Sequence, residues 1–172
     1  MIAIFGGTFD PIHLGHLRLA LELQEKYKFK SVVFVPCKNP VFKKKPVASI
    51  KHRIAMLKLA IKNQPNFVVD ESELERSGPS YMIDTLVNLK EKMPKEKLFL
   101  IIGSDAFDNF SKWRCPEDII SLAKLVVVPR DRDETLPISS THIRKQLNAK
   151  KSARYLIPDS VWQYIVKHGL YR

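Results

Sequence analysis

Short apolar runs alternate with helical patterns along this chain of 172 residues. Ile2-Ala3-Ile4-Phe5, Val32-Val33-Phe34-Val35, Phe67-Val68-Val69, Leu98-Phe99-Leu100-Ile101-Ile102 and Leu125-Val126-Val127-Val128 each read as a strand. Between them, apolar residues recur every three or four positions, the helical period. Leu14, Leu17, Leu21 and Tyr27 mark a first helix. Ile54, Leu57 and Ile61 mark a second, with Ser49 as its N-cap. Ser80 is placed to cap a third, which carries Ile83, Leu86, Val87 and Lys90. One further helix starts near Ser140; another follows Pro158-Asp159 with Val161, Tyr164 and Ile165. The strands are apolar throughout rather than alternating, which indicates a sheet buried on both faces. Strand–helix alternation joined by right-handed crossovers gives an α/β fold, doubly wound around a mostly parallel sheet. No repeat and no long linker interrupts it, so residues 1–172 read as a single domain. In such folds ligands bind beyond the carboxyl ends of the strands, so the chemistry is expected there.

Composition removes several alternatives. A hydrophobic fraction of 45% and a charged fraction of 27% exclude a disordered or fibrous chain. No apolar run approaches the ~20 residues that span a bilayer. Met1 to Gly7 has neither the basic leader nor the cleavage stretch of a signal peptide. Cys37 and Cys115 are far apart and in no metal-type spacing, which disfavours a disulfide scaffold or a zinc finger and points to a reducing, cytoplasmic setting. Lys and Arg outnumber Asp and Glu by 29 to 18, a net charge of +11. Such a surplus favours anionic partners (nucleotides, nucleic acid or acidic lipid), although solvated lysines on helices would give the same total. The one dense run, Lys43-Lys44-Lys45, lies in the Pro- and Lys-rich loop from Pro36 to Pro46.

Three constellations follow strands. The first strand runs into Gly6-Gly7-Thr8-Phe9-Asp10-Pro11-Ile12-His13-Leu14-Gly15-His16. It matches neither a dinucleotide fingerprint nor a Walker A loop. The glycines allow close approach of a bulky ligand, Pro11 suits the entry to a helix, and His13 and His16 stand i, i+3 in its first turn. Free amides, the positive dipole end and two imidazoles then converge on a place that suits phosphate oxygens. Taken singly, the glycines fit a tight turn, and the histidines fit two metal ligands. The second constellation is Ile138-Ser139-Ser140-Thr141-His142-Ile143-Arg144 after the fifth strand. Its hydroxyls are good helix caps; with Arg144 one turn in, on the side of Ser140, they also make a second anion site. Two such helix starts on one sheet suggest a polyphosphate held between them. The third is Gly103-Ser104-Asp105, where Gly103 admits a sugar or base and Asp105 suits ribose hydroxyls, or simply an acidic first turn. Phe107, Phe110 and Trp113 nearby offer flat faces, or core.

These motifs together resemble a known family. GGTFDPIHLGH and ISSTHIR are similar to the paired signatures of the nucleotidyltransferases that carry a His-x-Gly-His motif, which have a Rossmann-like fold. SGPSYMIDTL (77–86), IIGSDAFDNFSKW (101–113) and the ending YIVKHGLY (164–171) narrow the resemblance, over nearly the whole chain, to bacterial nicotinate-nucleotide adenylyltransferases. Two departures stand out: Met82 where the family commonly has Thr, and the segment Asn39 to Lys43 without a Pro-His-Lys ending. The resemblance implies condensation of ATP with nicotinate mononucleotide, in the cytoplasm, giving nicotinate adenine dinucleotide and pyrophosphate. The nucleophile is then an already ionised phosphate, so alignment and charge neutralisation suffice.

It further implies these roles. Gly7, Thr8 and Phe9 supply backbone against both nucleotides. His13 and His16 meet phosphate oxygens, with His16 on the α-phosphate. Ser140 and Arg144 hold the β- and γ-phosphates. Ile138, Gly103 and Asp105 belong to the ATP side, the last two at the ribose. Thr85, Tyr81 and Trp113 receive the pyridine, while Asn39 with Lys43 or Lys44 reaches the acceptor phosphate and Arg130 adds charge near the carboxylate. Mg²⁺ rides on ATP, largely water-ligated, with no ligand from protein side chains. The competing readings are an adenylyltransferase for nicotinamide mononucleotide or phosphopantetheine, disfavoured in the latter case by Ser77-Gly78-Pro79-Ser80-Tyr81 and Trp113, and a basic nucleic-acid-binding module, disfavoured by the absence of an aromatic–basic stripe.

Overall fold

The computed structural model describes residues 1–42, 44–129 and 138–172. Strands β1 (Ile2–Gly7), β2 (Ser31–Pro36), β3 (Phe67–Val69), β4 (Leu98–Gly103) and β5 (Ala123–Val128) form one sheet in the order β3-β2-β1-β4-β5. Every pair is parallel. Each expected strand is present, and β1 continues through Gly6 and Gly7, which lie level with Val35 and Pro36. The helices are α1 (Leu14–Tyr27), α2 (Ile50–Ile61), α3 (Ser72–Glu75), α4 (Met82–Lys92), α5 (Ser104–Phe107), α6 (Pro116–Leu122), α7 (Ser140–Asn148) and α8 (Asp159–His168). Helices α3, α5 and α6, of four, four and seven residues, are too short to show a period in the sequence.

Alternation along β1 divides the core. Ala3 and Phe5 join a cluster that includes Leu23 of α1, Leu57 of α2, Ile143 of α7 and Val161 of α8. Ile2 and Ile4 face the other way, onto Leu86 of α4 and Ile119 of α6. Both faces are therefore covered, as the uninterrupted apolar runs require. Leu57, Leu86 and Leu100 are fully excluded from solvent, each stabilising the fold by about 1.5–3 kcal/mol. The chain winds from β1 outward to β3 and returns to β4 on the opposite side of β1. That reversal opens a crevice at the carboxyl ends of β1 and β4.

One expected cap holds and another shifts. Ser49 caps α2, its hydroxyl accepting the His52 N–H at 3.4 Å. Ser80 does not cap α4; Tyr81 holds the N-cap position with no side-chain bond. The Ser80 hydroxyl instead accepts the N–H groups of Lys38 at 3.1 Å and Asn39 at 2.9 Å. Those amides lie past the end of β2, where a backbone donor must find another acceptor. At α7 the cap is Ser139, which takes the His142 N–H at 3.1 Å and leaves the Ser140 hydroxyl for another partner.

Candidate active site

Past Gly7 the chain turns sharply. Phe9 adopts a left-handed backbone (φ 48°), and its ring is buried edge-on against Phe5, 5.6 Å between centroids, and His16, 5.1 Å. A Cβ on Gly7 would stand 2.9 Å from that ring. Glycine is thus needed there because the Phe9 ring occupies the space. Pro11 does not open the helix as expected: the Asp10–Pro11 peptide is cis, and α1 begins at Leu14 with His13 as N-cap.

The two histidines cap α1 reciprocally. His13 Nδ1 accepts the His16 N–H, and His16 Nδ1 accepts the His13 N–H, each at 3.3 Å. This is a capping box built from imidazoles. The rings stack at 3.6 Å between centroids. A Cβ on Gly15 would lie 3.1 Å from His13 Nδ1, so the glycine between the histidines makes room for the stack. An Nδ1 that accepts carries no proton, so each neutral ring bears its proton on Nε2. Burial pushes His13 down from 6.5 to about 4, which keeps it neutral at neutral pH.

The tip of α7 is bonded to this loop. The Ser140 hydroxyl donates to the Pro11 carbonyl at 2.9 Å, and Arg144 Nη1 donates to the Asp10 carbonyl at 2.6 Å. His13, His16, Ile138, Ser140 and Arg144 all line one cavity of about 1000 Å³. Gly7, Thr8, Phe9, Gly103 and Asp105 line it too, from the ends of β1 and β4. Two helix N-termini thus direct unpaired N–H groups and positive dipole ends at a space that Arg144, Arg114, Lys44 and Lys45 also border. The arrangement suits a large anion. Among the described residues, no three His, Cys, Asp or Glu side chains cluster as a metal cage.

The cavity is also lined by Tyr81, Met82 and half-buried Trp113, whose indole packs on Phe110 at 5.3 Å. Met82, where Thr is common in the resembling family, lies over Gly6. Arg114, which the sequence reading passed over, lies 4.9 Å from the Tyr81 ring. Thr85 is fully buried and is not among the residues that line this cavity; its hydroxyl accepts from Arg76 Nη2 at 2.6 Å and donates to Glu73 Oε1 at 3.4 Å. Asn39 is not brought to the cavity either: its side-chain amide donates to the Gly78 carbonyl at 2.7 Å. Lys43 and Arg130 lie outside the described residues.

A buried polar base, also missed, supports the loop. Asp10 accepts the N–H groups of Val47 at 2.7 Å and Ala48 at 3.1 Å, and the Tyr171 hydroxyl at 2.7 Å. Arg53, 1% exposed, donates to the carbonyls of Thr8 at 2.6 Å, Cys37 at 2.8 Å and Ala48 at 3.2 Å. Burial pulls its guanidinium pKa down, and Asp10 counters that pull. Arg53 was findable: it stands in line with Leu57 and Ile61 at i, i+4 and i+8, on the apolar stripe of α2. A charge on such a stripe must be buried and paired.

A parallel sheet with two helix tips bordering one cavity at its switch point defines an α/β nucleotide-binding protein. Residues 4–146 match the family model described as cytidylyltransferase-like. The chain is 38% identical to a Borrelia hermsii protein assigned as a nicotinate-nucleotide adenylyltransferase, over 99% of this chain and 97% of that one. It is 37% identical to a Hahella chejuensis protein of the same assignment, over 99% and 95%. A crystal structure from Vibrio parahaemolyticus, likewise assigned, superposes with a TM-score of 0.80 at 25% identity, covering 99% of this chain and 94% of that one. The Plasmodium falciparum nicotinic acid mononucleotide adenylyltransferase complexed with NaAD shares the fold, with a TM-score of 0.78 at 22% identity over 99% and 96%. The chain belongs to the nicotinate-nucleotide adenylyltransferases of the cytidylyltransferase-like family.

Proposed function

We propose that this chain transfers the adenylyl group of ATP to nicotinate mononucleotide, a step of NAD biosynthesis. One observation carries the reading: α7 is hydrogen-bonded through Ser140 and Arg144 to the Asp10-Pro11 loop that leads into α1, and the tips of both helices border a single cavity large enough for two nucleotides. A phosphate oxygen of the acceptor attacks the α-phosphorus of ATP. The bond from that phosphorus to the oxygen bridging to the β-phosphate breaks, and pyrophosphate leaves with the electron pair. No proton need be removed from an ionised phosphate, so the protein's work is in-line alignment and stabilisation of charge.

The roles follow the layout. The Nε2–H groups of His13 and His16 serve phosphate oxygens, with His16 on the α-phosphate as its charge grows. Ser140, the free amides of α7 and Arg144 take the β- and γ-phosphates. Gly7, Thr8 and Phe9 offer backbone to both substrates, Gly103 and Asp105 meet the adenosine ribose, and Ile138 packs on the nucleotide. Tyr81 and Trp113 receive the pyridine ring, and Lys44 the acceptor phosphate. Magnesium arrives on the triphosphate and keeps water as its other ligands. No described helix is long and apolar enough to cross a membrane, and the reading sets the reaction in the cytoplasm, where its nucleotide substrates are.

The test is direct. Purified protein with ATP and Mg²⁺ is given nicotinate mononucleotide, nicotinamide mononucleotide or phosphopantetheine, and pyrophosphate release is followed. The highest kcat/KM is expected with nicotinate mononucleotide. A higher value with either of the others, or no turnover with any, overturns the reading.

A further inference from the structure

We infer that Tyr171 is a positioning residue for the adenylyl transfer proposed above: its hydroxyl pins Asp10, so that Arg144 stays turned to the triphosphate. The inference rests on that reading for its reaction and on separate contacts for its geometry. Tyr171 follows α8, is 7% exposed, and reaches across 161 positions of sequence to donate to Asp10 Oδ1 at 2.7 Å. Its backbone is left-handed, with φ 64°, a conformation kept only where packing over-determines it. Burial, first, and then Asp10 hold the phenol well above its ordinary range, so it is a permanent donor.

Asp10 is where the restraint meets the cavity. Its carboxylate is shared among the Val47 and Ala48 amides and the Tyr171 hydroxyl. Arg144 Nη1 bonds to the main-chain carbonyl of Asp10 at 2.6 Å, yet lies 3.9 Å from Asp10 Oδ2. At 3.9 Å the carboxylate attracts the guanidinium but does not hydrogen-bond it. Arg53, the other nearby cation, is engaged by three backbone carbonyls. Removing the Tyr171 hydroxyl leaves Asp10 Oδ1 with the Ala48 amide alone, so the carboxylate can turn and carry Oδ2, 3.9 Å from Arg144 Nη1, toward the guanidinium. Closing that gap draws Arg144 toward Asp10 and away from the β- and γ-phosphates. Phenylalanine would fill the same volume without restoring the donor.

The experiment compares Tyr171→Phe with Tyr164→Phe. The Tyr164 hydroxyl bonds His52 Nδ1 at 2.9 Å, joining α8 to α2, and neither residue lines the cavity. Both variants lose one hydroxyl contact of the same C-terminal region. For Tyr171→Phe, kcat/KM for ATP falls about tenfold, with a raised KM for ATP and a KM for nicotinate mononucleotide within about twofold of wild type. Tyr164→Phe lowers Tm and leaves these constants unchanged. Wild-type kinetics in Tyr171→Phe overturn the inference, as does the same ATP-specific loss in Tyr164→Phe. Should wild type release no pyrophosphate with any acceptor, the proposed reaction fails by itself. Calorimetric affinity for Mg·ATP then reads the pin alone: about tenfold weaker binding in Tyr171→Phe supports it, and equal binding refutes it.

Discussion

Acidification should strip stability from this fold through His13. The imidazole caps α1 from a buried position with its Nδ1 committed as an acceptor, so the folded state resists protonating it. Its pKa is about 4 when folded and 6.5 when exposed. Between those values the unfolded chain binds the extra proton, so stability is complete above 6.5 and declines as pH falls toward 4. From pH 7 to pH 5 the loss works out at about 2 kcal/mol, and over the whole window at about 3 kcal/mol. In a chain of this length the first figure lowers Tm by roughly 4–8 °C. The control is His13→Asn: asparagine is a strong N-cap but does not titrate. Thermal unfolding of both proteins at pH 7, 6 and 5 gives the difference, from which the remaining histidines cancel. The wild-type curve should fall away from that of the variant by the stated amount. Parallel curves would show that His13 titrates normally in the folded protein, and the neutral-donor role would go with it.

Three further outcomes follow from the site. His16→Ala should lower kcat by ~10²-fold or more, the scale of one lost transition-state donor; a near-normal kcat in single-turnover measurements removes His16 from the chemistry. Trp113→Ala should raise KM for the mononucleotide more than KM for ATP, and the reverse ranking would move the indole to the adenosine side. Thr85→Val, which removes the hydroxyl between Arg76 and Glu73, should cost about 1–3 kcal/mol in denaturant unfolding with KM for the mononucleotide unchanged. A raised KM at full stability would return Thr85 to the acceptor contacts.

The sheet was legible because strands covered on both faces must be apolar at every position, and the helices over it were legible where they span two turns or more. What failed were the short elements and the competitions for a single oxygen. Ser80 looks like a cap, but the amides of Lys38 and Asn39 claim it. Thr85 looks like a ligand contact inside a motif, yet one turn separates it from Leu89 on the buried side of α4. These groups converge on the cavity because every strand delivers its carboxyl end to one edge, so His13, His16 and Gly103 could be placed from topology alone. Asp10 with Tyr171 could not. That contact joins distant segments whose approach depends on how α8 packs against α2, and neither residue's neighbours in sequence signal it.

The charge distribution around the cavity divides the chemistry in two. The triphosphate and the acceptor phosphate are anionic before any bond changes. In the proposed arrangement Arg144, Lys44 and the tip of α7 would meet charge that is present in ground state and transition state alike. Such contacts set KM more than kcat. The stacked imidazoles are different. His13, neutral by burial, offers a dipole rather than a charge, and the reciprocal cap fixes His16 with the same nitrogen committed. A neutral N–H gains strength as negative charge accumulates on the α-phosphate, without binding the resting nucleotide so tightly that the advantage is lost. Protonating the pair would place two cations 3.6 Å apart between ring centres and would convert a contact selective for the transition state into one that grips the substrate. On this argument the stack, the glycine that makes room for it and the burial that keeps His13 uncharged form one device for raising kcat.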